Sequence, residues 1–237
     1  MNKEIIPAIL PKSYDELTEK LDIVAGHSPT VQIDVCDGFF VPNRTWPYLK
    51  GTQSESDQIF SSIVEQESAL PHWEEIDFEF DLMIRGAYEK IPDFIAAGAS
   101  RVVVHRASLD AEELSAIVRD YGRTSGEVGM FDVELGIALA PGDNAADIAS
   151  IASDIHFVQV MGIAKVGFQG QPFDSRAIEL VRSLKATYPH LPVSVDGGVS
   201  LETASELVDA GADRLVVGSA LFNASDFLAT LEELKAL

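Results

Sequence analysis

Eight times along this chain a short, β-rich apolar run is followed by a stretch with the amphipathic spacing of a helix. That alternation limits the fold more than any other feature, because strands interleaved with helices build parallel sheets in α/β proteins. The apolar runs fall at residues 5–9, 30–35, 76–84, 101–105, 133–139, 155–161, 192–196 and 214–217. The helical stretches fall at 14–25, 54–68, 88–97, 111–121, 144–152, 175–187, 201–210 and 225–236. Ser13 and Glu16 have the spacing of a capping box at the first helix, and Gly98 stands where a helix C-terminus favours glycine. Eight units use up the 237 residues and leave no segment for a second domain. An open doubly wound sheet would carry fewer units and a G-x-G-x-x-G turn after its first strand, but Pro7-Ala8-Ile9-Leu10-Pro11 occupies that place. The expected fold is therefore one closed (β/α)8 TIM barrel over residues 1–237, an architecture that typically takes about 250 residues. The Ser-, Glu- and Gln-rich stretch 51–75 reads as a surface elaboration of the second helix, a lid or an oligomer contact.

With 38 acidic and 17 basic residues the formal net charge is -21. Such a chain repels nucleic-acid phosphates and anionic membranes unless basic residues cluster, and here Lys and Arg are scattered. Neither a nucleic-acid nor a membrane partner is expected. No apolar run approaches the roughly 20 residues that a spanning helix needs. The start, Met1-Asn2-Lys3-Glu4, lacks the basic region and apolar stretch of a signal peptide, so a cytoplasmic location is expected. Cys36 is the sole cysteine and can form neither an internal disulfide nor a zinc-ribbon pair. In so acidic a chain, an anionic substrate must be held by local backbone N–H groups rather than by bulk charge.

In a (β/α)8 barrel the C-terminal strand ends line the active site. Here those ends offer Ala8, Asp34 with Asp37, Asp81, His105, Ala138, Met161, Asp196 with Gly197 and Gly198, and Gly218 with Ser219. Asp34, Asp81 and Asp196 each end an otherwise apolar strand. One such acid is commonly a helix cap, whereas three converging on one mouth point to catalysis or to a metal. The glycines at 197, 198 and 218, with Ser219, follow the last two strands, where such barrels frequently bind phosphate. The loop Gly167-Phe168-Gln169-Gly170-Gln171 after the sixth strand can close over the same anion.

These residues carry a resemblance that runs in order along nearly the whole chain. Pro7-Ala8-Ile9-Leu10, Ile33-Asp34-Val35-Cys36-Asp37-Gly38 with Phe40-Val41-Pro42-Asn43, Asp81-Leu82-Met83-Ile84, Gly136-Ile137-Ala138-Leu139 with Pro141-Gly142, Gly167-Phe168-Gln169-Gly170-Gln171-Pro172-Phe173, Val195-Asp196-Gly197-Gly198-Val199 and Gly218-Ser219-Ala220-Leu221-Phe222 resemble motifs of the ribulose-phosphate 3-epimerase family. The resemblance implies interconversion of D-ribulose 5-phosphate and D-xylulose 5-phosphate, with Asp34 and Asp196 exchanging protons at C3 from opposite faces. It also implies a divalent metal held by these two acids and two histidines, and members that are often homo-oligomers.

The chain departs from the family at the metal. The two histidine positions hold Gln32 and Asp81, so the implied ligand set is Gln32, Asp34, Asp81 and Asp196. Oxygen ligands suit magnesium or manganese better than zinc. Without a metal, three clustered carboxylates repel, and at least one pKa should rise. The implied substrate lining is Ala8, Cys36, Met83, Met161 and Lys165, with Cys36 read as a small packing residue. Lys165 has two readings, a solvated lysine or the positive charge opposite an enediolate. His105 is expected to pack or to hydrogen-bond, and Arg106 to meet substrate or to pair with an acid. Two other functions stay open beside epimerisation: a different phosphosugar isomerase or lyase on the same barrel, and a non-catalytic sugar-phosphate-binding protein.

Overall fold

The computed structural model describes residues 3–49, 58–123 and 133–237. Eight parallel strands form a closed barrel in chain order: β1 (Glu4–Ile9), β2 (Thr30–Cys36), β3 (Asp77–Met83), β4 (Ala99–His105), β5 (Glu134–Leu139), β6 (Phe157–Met161), β7 (Val193–Asp196) and β8 (Arg214–Val217). β8 closes on β1 through Glu4↔Arg214 to Pro7↔Val217. Around it run α1 (Tyr14–Val24), α2 (Gln58–Val64), α3 (Ala87–Ala96), α4 (Ala111–Tyr121), α5 (Arg176–Thr187), α6 (Leu201–Ala210), the short α7 (Ser219–Phe222) and α8 (Phe227–Lys235). The expected barrel is the observed one. Among the described residues no helix is long and apolar enough to cross a membrane.

Local chemistry sets the element ends. Glu16 N–H donates to Ser13 Oγ at 3.0 Å and caps α1, although the Glu16 carboxylate takes the N–H of Lys12 rather than completing the box. Gly98 follows α3 at φ 99°. Three expectations need correction. The stretch 144–152 holds only a 3-10 turn, Ala145–Ile148. Its bonds close at i+3, from Asp147 to Asn144, Ala149 to Ala146 and Ile151 to Ile148. The helix expected at 54–68 is seen as Gln58–Val64. Residues 54–57 lie outside the described residues, and Gln66 at φ 61° ends the helical path. The third concerns burial, because α2 is no mere surface elaboration. Phe60 packs edge-on to Trp46 at 5.4 Å and tilted against Phe94 at 5.1 Å, inside the main core.

Strand alternation divides the barrel into two environments. Val31, Ile33, Val35, Phe78, Phe80 and Leu82 point outward and join Leu17, Leu21, Ile91 and Phe94 of the helices in the main core. Each such side chain contributes about 1.5–3 kcal/mol by leaving water. The intervening positions face the axis, and many are polar: Gln32, Asp34, Glu79, Asp81, Gln159, Ser194 and Asp196. At the N-terminal end, Arg101 and Arg214 bridge Glu4 and Glu134 at 3.1–3.3 Å, and Arg101 lies 3.7 Å from the buried Glu79. The Arg214 guanidinium sits over the Phe157 ring at 4.8 Å. Phe157 fills the axis above this ring of charges because Gly136 opposite has no side chain, and a Cβ there would overlap the Phe157 ring. Overpacking of this kind destabilises by about 1–3 kcal/mol. Gly136→Ala should lower the midpoint of urea unfolding accordingly; an unchanged midpoint would show that Phe157 is not wedged there.

Candidate active site

At the C-terminal end of the barrel a small cavity opens between the strand ends and their loops. Ala8, Asp34, Met83, Met161, Gly167, Phe168, Gln169, Gly170, Asp196, Gly197, Gly198, Gly218 and Ser219 all line it. Gln171, the last residue of the loop expected to close over an anion, lines it too; Leu10, Ile163, Val199 and Val216 line it as well, and the sequence reading did not single these four out. Cys36 and Lys165 are not among the lining residues. Cys36 is fully buried in a cluster with Leu10, Val41 and Met83, and burial, then the Asp34 charge, pushes its thiol pKa up. That is the behaviour of a packing residue and not of a thiolate nucleophile. Lys165 is exposed on the loop after β6. The guanidinium of Arg106 makes no ion pair among the described residues, and its Nε is buried without a partner.

Asp34, Asp81 and Asp196 meet as expected. Each presents a carboxylate oxygen within 4.8 Å of the other two. The strands place them there: Asp34 and Asp81 are register partners on β2 and β3, and Asp196 ends β7 beside Met161. Asp34 and Asp81 are buried, whereas Asp196 opens partly to the cavity. Gln32 Nε2 donates to Asp34 Oδ1 at 2.8 Å and to Asp196 Oδ2 at 3.3 Å, bridging the two acids. Asp81 is held by His105 Nε2 at 2.8 Å and by Gln159 Nε2 at 3.3 Å. Gln159 went unnoticed in the sequence; its signal was a polar residue at an axis-facing position of an apolar strand.

Crowding shifts the acids. Burial, then the charges of Asp196 and Asp81, raises the Asp34 pKa well above the usual carboxylate range. Burial, then Asp81, pushes Asp196 up to about 7, with the Gln32 hydrogen bond and His105 pulling the other way. Two acids of this kind do not both ionise easily near neutral pH.

The far side of the cavity is backbone. Gly197 and Gly198 take φ 96° and 67°, a left-handed backbone that favours glycine, and both line the cavity. The N–H groups of Gly198, Gly218 and Ser219 have no acceptor among the described residues. Gly218 also lets the loop after β6 cross. A Cβ at 218 would strike Gln169 Nε2, which donates to Ala8 O at 3.2 Å. A second strap, residues 37–45 after β2, packs against that loop. Its crown is tied by Asn43 Nδ2 to Gly167 O at 2.7 Å. Asp37 holds one foot through the N–H groups of Phe39, Phe40 and Arg85. Thr45 holds the other, its Oγ1 donating to Asp34 O and accepting from Cys36 N–H.

Two acids with raised pKa values side by side in a cavity can take up and release protons near neutral pH. Comparison with known proteins agrees with the geometry. The sequence model of the ribulose-phosphate 3 epimerase family matches residues 4–222. The ribulose-phosphate 3-epimerase of Aquifex aeolicus is 31% identical over 241 residues, covering 99% of this chain and 96% of that protein. The chloroplastic ribulose-5-phosphate-3-epimerase of Arabidopsis thaliana is 30% identical over 238 residues, 98% of this chain and 76% of that protein. Among solved structures, the 3-hexulose-6-phosphate synthase of Salmonella typhimurium shares the fold at a TM-score of 0.67 and 16% identity, covering 98% and 97% of the two chains. With its barrel, its paired acids and a family match from residue 4 to residue 222, the chain belongs to the ribulose-phosphate 3 epimerase family, as a member whose acid cluster contains three aspartates and no histidine.

Proposed function

We propose that this chain is a ketose-phosphate 3-epimerase that interconverts D-ribulose 5-phosphate and D-xylulose 5-phosphate. The carrying observation is the pair Asp34 and Asp196, on β2 and β7, close together with both pKa values raised. The phosphate sits against the N–H groups of Gly198, Gly218 and Ser219, and C2 and C3 lie over the acids. The ionised member of the pair takes the proton from C3, and the electrons of that C–H bond flow toward the C2 carbonyl to give an enediolate. The protonated partner returns a proton to C3 from the opposite face, and the configuration inverts. Met83 and Met161 form the apolar floor, which excludes water from the intermediate.

The donor set fits a hard divalent cation. Asp34, Asp81 and Asp196 offer carboxylate oxygens, and the buried Oε1 of Gln32 has no hydrogen-bond partner. Such oxygens suit magnesium or manganese rather than zinc. When bound, the ion supplies Lewis-acid stabilisation of negative charge on the substrate oxygens.

Ribulose 5-phosphate incubated with chelator-stripped protein in deuterated water, with magnesium, manganese and zinc added separately, should gain deuterium at C3 in at least one condition. No incorporation under any of them sinks the proposal. Asp34→Asn and Asp196→Asn should each lower kcat by about 10²–10⁴-fold.

The pH dependence of stability follows from the same acids. An unfolded aspartate titrates near 3.9, and Asp196 in the fold titrates near 7. Between these values the folded chain keeps a proton that the unfolded chain has lost, so the contribution of this group to stability falls as pH rises through that window. In chelator-treated protein the melting temperature should fall between about pH 4 and about pH 7, and Asp196→Asn should flatten that slope. An equal slope in both proteins would contradict the raised pKa.

A further inference from the structure

Gln32 and Gln159 approach the acid cluster in the same manner from opposite sides of the barrel. Both are fully buried. Each turns its amide nitrogen toward carboxylates, Gln32 to Asp34 and Asp196, Gln159 to Asp81. Each leaves its amide oxygen buried with no hydrogen-bond partner. A buried acceptor left unpaired costs free energy, and native interiors contain few of them. A side-chain amide carries donors and acceptor on one planar group, so a half-turn about its last bond exchanges their places. Beside bare carboxylates the N–H face is favoured. Beside a divalent cation the oxygen is.

We propose that Gln159 is a ligand of the divalent cation, an inference that rests on the cation reading above. Its amide turns over as the ion arrives, and Oε1 takes the place that Nε2 now holds against Asp81. The same motion frees Asp81 Oδ2, which the structure shows accepting from Gln159 Nε2 at 3.3 Å, while Asp81 Oδ1 stays with His105 at 2.8 Å. Gln159 thus adds an oxygen from β6 to those from β2, β3 and β7. A neutral oxygen suits this site, because three carboxylates already outweigh a divalent charge by one. It also favours magnesium and manganese over zinc, which seeks nitrogen and sulfur.

The test is the binding of Mn²⁺ alone to chelator-stripped protein, measured by calorimetry and by the loss of the free Mn²⁺ electron paramagnetic resonance signal. Gln159→Leu keeps the bulk and removes the amide, and its Kd should rise at least about tenfold. Gln159→Glu keeps an oxygen and should bind as tightly as wild type or tighter. The melting temperature of each metal-free variant reports on its fold; if the Leu variant does not fold, Gln159→Met takes its place with the same expectation. An unchanged Kd in the Leu or Met variant overturns the inference and leaves the cation reading standing. Absence of Mn²⁺ binding to the wild-type protein overturns both.

Discussion

Three carboxylates stand within 4.8 Å of one another in the dry axis of a barrel, and everything else about the site answers that fact. Two unit charges about 5 Å apart repel by about 3 kcal/mol at an effective dielectric constant near 20. The fold imposes the proximity, since Asp34 and Asp81 are register partners on neighbouring strands and cannot separate without breaking the sheet. The protein offsets the repulsion with donors drawn from the same interior layer: Gln32 bridges two acids, and His105 and Gln159 hold the third. What remains appears in the raised pKa values of Asp34 and Asp196, and a group that ionises reluctantly is one that can exchange a proton with a carbon acid. The unfavourable electrostatics and the proposed chemistry are thus one arrangement.

The barrel was legible because its outward face is made by burial alone. Every strand position that packs on a helix is apolar, and eight such runs with helical spacing between them admit few alternatives. Legibility failed where local bonding overrode periodicity. The isoleucines at 148, 151 and 155 are spaced like a helical stripe, but the N–H groups of Asp147, Ala149 and Ile151 bond three residues back and the stretch closes as i+3 turns. The short α7 was invisible because a four-residue helix has no period to read.

The acids and glycines of the cavity could be read from their position at strand ends, together with the resemblance of their flanking motifs. The partners that tune them could not. Gln159 and Glu79 lie one step deeper, at axis-facing positions, and nothing in a single apolar run says which residues meet across a barrel. Alternation within β2 and β3, Val31-Gln32-Ile33-Asp34 and Phe78-Glu79-Phe80-Asp81, was the available signal: two polar layers, one under the other. Glu79 in the lower layer is pushed up to about 8 by burial, against the pull of Arg101 and Arg214, so the strain of interior charge extends below the site. Lys165 shows the converse limit, since sequence gives a loop residue its charge but not its direction.

The strap after β2 is anchored along its whole length. Toward its middle, Asn43 gives a hydrogen bond to Gly167, and Val41 packs against that glycine and lies buried with Leu10, Cys36 and Met83. At its ends, the Asp37 carboxylate gathers three backbone N–H groups, and Thr45 is bonded into the strand at Asp34 and Cys36. The residue that carries one acid thus has its own carbonyl bonded to the far end of the loop, so a substitution at Thr45 reaches Asp34 through the backbone without entering the cavity.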